Sequence, residues 1–122
     1  MPVLVDTCIL IDCLRRNRNA LEFLVRLPDK PLLSVVSVTE IYAGFRVGEE
    51  LLIAELLNSF AILTVEIEIG ELAGRYLHRY RPSHGIDVPD ALIAATAREH
   101  GLTLATLNTK HFPMLRDVHR PY

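Results

Sequence analysis

The sequence predicts an α/β fold, a three-layer α/β/α sandwich around a mostly parallel sheet. Short, apolar, β-branched runs alternate with segments whose apolar residues have helical spacing, a rhythm typical of strand–helix–strand units. Such units join parallel strands through right-handed crossovers. The chain has 122 residues and is 50% hydrophobic, and its prolines and glycines are scattered rather than massed. We therefore treat residues 1–122 as a single domain with one core.

Four strands are predicted, each a short apolar run that ends at a turn or a polar residue. They cover residues 2–5, 32–36, 60–65 and 102–106. Helical spacing covers residues 7–16, 21–27, 38–45, 49–57 and 66–81. Residues 82–85 are predicted to be a loop, and a last helix is predicted to begin after Asp87 as its N-cap and to run to His100.

The charge balance carries no global signature of a nucleic-acid-binding protein, because 15 acidic residues outnumber 13 basic ones. Any such binding must be local, and arginines do cluster locally, as in Arg15 and Arg16. The planar guanidinium group matches phosphate, so these two arginines are candidates for holding substrate phosphates. An equally good alternative is that each cluster is a solvated helix face.

The first residues lack the basic and apolar segments of a secretory signal, and no apolar run approaches membrane-spanning length. We therefore expect a cytoplasmic protein without a membrane partner. Cys8 and Cys13 lie five residues apart in one predicted helix. That spacing suits neither a disulfide nor, with only two thiols, a structural zinc site, so we expect both to be reduced.

Polar residues lie beside the carboxyl ends of the predicted strands, where open parallel sheets place their sites. Three carboxylates and one carboxamide could converge there. The residues concerned, with their polar neighbours, are Asp6, Ser37, Glu40, Asp87, Asp90, Thr106 and Asn108.

Most of these residues also have a purely structural explanation. Ser37 and Glu40 have the spacing of a capping box, which predicts Ser37 as the N-cap of the helix over residues 38–45. Asp87 is a plausible N-cap, and Asp90 in the first turn of the same helix is favoured by the helix dipole. Asn108 fits a turn.

Asp6 and Asp90 are harder to explain in this way. Asp6 directly follows a buried strand, a position where an acid has little structural reason to be. Asp90 is followed by an apolar stripe of Ile93, Ala94 and Ala97, which places it at the edge of a buried face. Carboxylates gathered in one partly buried pocket repel each other unless a cation neutralises them. Oxygen ligands without a His or Cys cluster indicate Mg²⁺ or Mn²⁺.

Four segments resemble the acidic-site motifs of PIN domains in order, spacing and strand context. They read VLVDT at 3–7, SVTEI at 37–41, DALIAATA at 90–97 and TLN at 106–108. The similarity extends over nearly the whole chain. The compact length and the KHF triplet at 110–112 resemble the VapC-type toxins of VapBC toxin–antitoxin systems.

The resemblance implies an endoribonuclease that hydrolyses RNA phosphodiester bonds with Mg²⁺ or Mn²⁺. The metal-binding carboxylates would be those of Asp6, Glu40 and Asp90. The fourth catalytic position is Asn108. Members of the family have either Asp or Asn at this position, and the Asn found here has one negative charge fewer, which argues against tight binding of a second ion.

Three further residues are candidates for accessory roles around that site. The hydroxyls of Thr7 and Thr106 could order a water or a carboxylate. Asp87 is either an additional outer acid or simply the N-cap of its helix.

The family also implies a homodimer and a small VapB-type antitoxin. Residues 51–57 with Phe45 could clamp a partner helix, or could belong to the core of this protein. Two alternatives remain at this point. One is a PIN nuclease acting on DNA or structured nucleic acid outside a toxin–antitoxin pair. The other is a non-catalytic α/β interaction module whose acids only cap helices.

Overall fold

The computed structural model describes residues 2–122, in which helices and strands alternate as expected. The strands are β1 (Val3–Val5), β2 (Leu32–Ser34), β3 (Ala61–Leu63), β4 (Thr103–Ala105) and β5 (Val118–His119). The helices are α1 (Thr7–Leu14), α2 (Arg18–Arg26), α3 (Val35–Ala43), α4 (Glu50–Leu57), α5 (Ile67–His84) and α6 (Val88–Glu99), with a 3₁₀ turn at Thr109–His111.

All the strands are parallel and form one sheet in the order β3-β2-β1-β4-β5. Leu4 of β1 pairs with Leu32 of β2 on one side and with Leu104 of β4 on the other. The chain therefore builds outward from β1 in one direction and then in the other, which creates a topological switch point between β1 and β4. In open parallel sheets, sites lie in the crevice at such a point.

Helices cover both faces of the sheet, because successive strand residues point to opposite faces. Leu4 packs in a cluster with Ile93 of α6, whereas Val5 packs in a separate cluster with Ile9 of α1. All four side chains are fully or almost fully buried. The predicted three-layer α/β/α sandwich is confirmed.

The helix that follows β2 begins three residues earlier than the sequence predicted. Ser34, and not Ser37, is its N-cap, and the Ser34 hydroxyl accepts a hydrogen bond from the backbone N–H of Val36 over 3.0 Å. Two β-branched valines favour a strand locally, but the cap decides the conformation. The strand predicted over 32–36 therefore stops at Ser34, and Ser37 lies inside α3.

The long helix α5 extends through the predicted loop at 82–85 to His84. Proline lacks an N–H and usually ends a helix. Pro82 sits in the last turn, where the carbonyl that loses its donor can face water. Gly85 then ends the helix in the left-handed conformation, with φ of 60°, and its N–H bonds to the carbonyl of Arg81.

The strand β5 has no counterpart among the four strands predicted from the sequence. With only two residues it is too short to show a pattern, and it is defined by its pairing with β4. Through the described part of the chain, none of the helices combines the length and the apolar character needed to cross a membrane.

Candidate active site

Asp6 and Thr106 meet at the switch point of the sheet. Asp6 directly follows β1 and Thr106 directly follows β4, and the last residues of these strands, Val5 and Ala105, are paired. The Thr106 hydroxyl donates to Oδ2 of Asp6 over 2.6 Å, and the Thr7 N–H donates to Oδ1 over 2.8 Å. Asp6 is thus also the N-cap of α1. The sequence offered little structural reason for an acid at this position, and the structure supplies one, the N-cap.

Glu40 lies at the centre of a second hydrogen-bonded group. The Thr7 hydroxyl oxygen is 2.7 Å from Oε1 of Glu40 and 2.8 Å from the hydroxyl oxygen of Ser37. An ionised carboxylate only accepts, so Thr7 donates to Glu40 and Ser37 donates to Thr7. The predicted capping box is therefore wrong. Ser37 is instead a buried part of the candidate site, and its spacing of three residues from Glu40 places both side chains on one helix face rather than forming a cap.

Asp90 lies in the first turn of α6 beside two other titratable groups. Asp87 is the N-cap of α6, as one alternative predicted, and its carboxylate accepts from the Asp90 N–H over 3.0 Å. Oδ2 of Asp90 is 3.3 Å from Nδ1 of His111, an ion pair when the imidazole is protonated. The Asp90 side chain is 19% exposed, at the edge of a buried face as predicted.

The charges of Asp6 and Asp87 act on both Glu40 and Asp90. Burial is the main cause that raises the pKa of Asp6 and of Glu40 above the ordinary range, and the charges of Asp6 and Asp87 add to the effect on Glu40. Burial, followed by the interactions with Asp87, raises the pKa of Asp90 to about 7, and the charge of Asp6 contributes. Mutual repulsion of this kind is relieved by a cation.

Each of the three predicted metal ligands is engaged by a neighbour, namely Asp6 by Thr106, Glu40 by Thr7 and Asp90 by His111. Over residues 2–122, no three His, Cys, Asp or Glu side chains form a group that could hold a metal ion as they stand. The donor set still fits Mg²⁺ or Mn²⁺ chemically, because it consists of carboxylate oxygens that repel each other.

Asn108 and Cys8 complete the surroundings of Thr106. The N–H of Asn108 donates to the Thr106 hydroxyl oxygen over 3.0 Å, and the Asn108 side chain is exposed. The Cys8 sulfur lies 3.6 Å from Oδ2 of Asp6. Burial and then the charge of Asp6 raise the pKa of Cys8 to about 11, so this thiol is protonated at neutral pH. Both Cys8 and Cys13 are free thiols, as predicted.

Arg15 and Arg16 lie at the far end of α1 from Asp6. Arg15 follows Asp6 by nine positions along α1, which corresponds to about 14 Å. The Arg15 guanidinium forms an ion pair with Oε2 of Glu49 at 2.6 Å. Arg16 is exposed, with a left-handed φ of 61°. The structure brings neither arginine to the carboxylates, and their role as phosphate ligands stays a prediction.

Known proteins resemble this chain over almost its whole length. The PIN domain model matches residues 3–116. Two relatives from Mycobacterium tuberculosis are named Ribonuclease VapC10 and Ribonuclease VapC19, and they are 42% and 37% identical over 98% of this chain and 92% and 98% of their own lengths.

Solved structures match the fold as well. A toxin-antitoxin complex from Klebsiella pneumoniae contains a chain that is 32% identical, with a TM-score of 0.84 and 98% of both chains covered. FitAcB from Neisseria gonorrhoeae is 26% identical, with a TM-score of 0.76 over 98% of this chain and 97% of that one. Fold, family model and relatives agree, and this chain is a member of the PIN-domain family.

Proposed function

We infer that this protein is a divalent-metal-dependent endoribonuclease and the toxin of a toxin–antitoxin pair. The observation that carries the proposal is the placement of Asp6, Glu40 and Asp90, which come from three separate elements and lie at one edge of the sheet. Burial raises the pKa of all three carboxyl groups, and the charge of Asp6 raises the pKa of Glu40 and of Asp90 further. Relatives named ribonucleases, 37–42% identical over nearly the full chain, support the reaction class.

Asp6, Glu40 and Asp90 would hold the ion, Mg²⁺ or Mn²⁺, and the neutral amide oxygen of Asn108 is the candidate for a fourth ligand. When bound, the ion supplies Lewis-acid stabilisation of the charge that develops on the phosphodiester. Because the three acids are engaged by neighbours, we expect binding to involve a side-chain rotation of Asp90 away from His111, the longest of these contacts at 3.3 Å.

The hydroxyl groups of Thr106 and Thr7 favour the ionised form of Asp6 and Glu40 and orient these two acids. The hydrogen bond from Thr106 lowers the pKa of Asp6, and the one from Thr7 lowers that of Glu40, each acting against the burial that raises it. A carboxylate must be deprotonated to bind a metal, so these hydrogen bonds favour the binding-competent form. Thr7 and Thr106 are therefore positioning residues that act on the substrate only through Asp6 and Glu40.

One observation favours the alternative function, a non-catalytic interaction module. Asp6 and Asp87 both cap helices, so each has a structural role without any catalysis. Glu40 distinguishes the two readings. It lies in the interior of α3, caps no helix, and is half-buried with a raised pKa, which brings an energetic cost that a purely structural role does not explain.

An antitoxin has a suitable docking surface in an apolar cleft of about 930 Å³ between the end of α3 and α4. Phe45 and Leu51 line it and are 38% and 70% exposed, while Ile53 on the other side of α4 is buried. The segment 51–57 therefore contributes Ile53 to the core of this protein and leaves Leu51 exposed for contact with the proposed antitoxin. We expect a helical antitoxin segment to place apolar side chains in this cleft, as in helix-in-groove recognition.

Cleavage of matched RNA and DNA oligomers in Mg²⁺ and in Mn²⁺ tests the reaction directly. We expect metal-dependent cleavage of RNA, its loss in Asp6→Asn, and its retention in the control Asp29→Asn, whose exposed acid precedes β2 at the opposite edge of the sheet. Cleavage of DNA in preference to RNA would favour the alternative nuclease. Absence of cleavage by the parent protein would favour the interaction module.

A further inference from the structure

A basic cleft with aromatic side chains lies between α5 and the C-terminal end of α6, away from the carboxylates. It has a volume of about 480 Å³ and is lined by Leu72, Arg75, Tyr76, Arg79, Tyr80, Arg98, Glu99 and Met114. Three guanidinium groups face a single carboxylate in a chain whose net charge is −2. The cleft is therefore a local positive region on an acidic protein.

The arginines of the cleft have no direct ion-pair partner. In the described part of the chain, ion pairs form only between Arg15 and Glu49 and between His111 and Asp90. Arg75, Arg79 and Arg98 are exposed, so none of them is needed to compensate a buried acid. Groups of like charge that repel each other and have no acidic partner favour an anionic ligand.

The tyrosines place aromatic rings among these charges. The Arg79 guanidinium lies over the Tyr80 ring, 5.2 Å from its centre, and the rings of Tyr76 and Tyr80 are 6.5 Å apart. Both rings are half-buried and pack against the core on one side, so only part of each ring faces the cleft. Arginines combined with accessible aromatic rings bind single-stranded nucleic acid, since guanidinium groups hold phosphates while rings stack on bases. An acidic peptide would use the charges but leave the rings without a matching partner.

The spacing of the arginines also suits a polyanionic strand. Arg75 and Arg79 are four residues apart on one face of α5, which separates them by about 6 Å along the helix. Arg98 lines the opposite wall from α6 and also lines a second cavity of about 490 Å³, together with Arg116 and Asp117. Guanidinium groups are thus present along both cavities, where four arginines are accompanied by two carboxylates.

Its position relative to the carboxylates is fixed by α6. Asp90 lies in the first turn of that helix and Arg98 near its end, a separation of eight residues or about 12 Å. We propose that this cleft is a second RNA-binding site, which holds the phosphate backbone of the single-stranded substrate beyond the scissile bond. The proposal rests on the ribonuclease function inferred above.

The test uses Arg75→Ala/Arg98→Ala, which removes one guanidinium from each wall and leaves the Arg79–Tyr80 contact intact. The matched control is Arg18→Ala/Arg26→Ala, which removes two exposed arginines from α2. Binding of a labelled single-stranded RNA of about 16 nucleotides is measured by fluorescence anisotropy over a range of NaCl concentrations, in the background of Asp6→Asn to prevent cleavage.

We expect the Arg75→Ala/Arg98→Ala variant to bind at least tenfold more weakly and its log–log salt dependence to flatten by about 1.4, from two lost phosphate contacts on a single strand. In the cleavage-competent protein, KM should rise and kcat should stay unchanged. The control variant should match the parent in all these measurements.

Unchanged affinity, salt dependence and KM in a parent protein that cleaves RNA would overturn the second site while leaving the ribonuclease function in place. A change in oligomeric state or in antitoxin binding, with RNA binding unaffected, would overturn it as well and assign the cleft to a protein interface. Failure of the parent to cleave RNA at all would instead reject the proposed function.

Discussion

The hydroxyl of Thr106 donates a 2.6 Å hydrogen bond to Oδ2 of Asp6, and so joins the ends of two strands that lie 100 residues apart in the sequence. The bond sits at the topological switch point of the sheet and lowers the pKa of a buried acid. A fully buried threonine thus supports a candidate metal ligand.

Thr106→Val removes this hydroxyl with little change in shape. We expect the variant to need about tenfold more Mg²⁺ for half-maximal ribonuclease activity, because second-layer partners of metal ligands contribute at that scale. Thr96→Val is the matched control, since Thr96 is equally buried but donates only to the carbonyl of Leu92 within α6. Equal Mg²⁺ requirements for the two variants would show that the hydroxyl of Thr106 does not support metal binding by Asp6.

The stability of the metal-free protein should depend on Asp90 and on pH. Burial and the interactions with Asp87 raise the pKa of Asp90 to about 7 in the folded protein, whereas an unperturbed aspartate has a pKa of 3.8. Between these values the folded state retains a proton that the unfolded chain releases. The free energy of unfolding should therefore fall as pH rises from about 4 to about 7.

Asp90→Asn should remove the contribution of Asp90 to that dependence, while the contributions of Asp6 and Glu40 remain. Because one pKa unit corresponds to about 1.4 kcal/mol, we expect the variant in EDTA to have a Tm several degrees above the parent at pH 8 and close to it at pH 4. Adding Mn²⁺ at pH 8 should raise the Tm of the parent but not that of the variant. Parallel pH profiles for the two proteins would rule out the raised pKa.

The two serines beside β2 should behave differently. Ser34→Ala removes the N-cap of α3 and should lower the free energy of unfolding by about 1 kcal/mol without changing the Mg²⁺ requirement. Ser37→Ala keeps the cap but removes the donor to Thr7, so it should raise the Mg²⁺ requirement. Urea denaturation and metal titration of ribonuclease activity separate the effects, and a reversal of the two phenotypes would restore Ser37 as the cap.

Arg15 should contribute to stability rather than to substrate binding. Its ion pair with Glu49 is partly buried, with side-chain exposures of 28% and 13%. Arg15→Ala and Glu49→Gln should each lower stability modestly, and their effects should be less than additive in the double variant. Neither should change KM for RNA. An increase in KM for Arg15→Ala alone would support the phosphate-binding role suggested by the sequence.

The parallel sheet and the helix α6 were predictable because each leaves a strong local pattern. Short β-branched runs mark the strands, and Asp87 followed by apolar residues at helical spacing marks α6 with its cap. The positions of Asp6, Glu40 and Asp90 at one edge of the sheet follow from that topology alone.

Other features depend on contacts that no local pattern reveals. Two serines in the segment LLSVVSVTE both suit an N-cap, and only the packing of Ser37 against Thr7 distinguishes them. Asp6 is the N-cap of α1 and also lies at the switch point of the sheet. The ion pair of Arg15 depends on Glu49, which is 34 residues away in the sequence. Pro82 stays helical because it lies in the last turn of α5. A proline in a sequence predicts that the helix ends before it, so the predicted end of α5 comes too early.

A crystal structure of the protein soaked with Mn²⁺, with the ion located from its anomalous scattering, would show whether Asp6, Glu40 and Asp90 bind one ion together. We expect one strong peak within coordination distance, about 2.0–2.3 Å, of oxygens from all three residues. A peak elsewhere, or none at these acids in a protein that still cleaves RNA in Mn²⁺, would contradict this expectation.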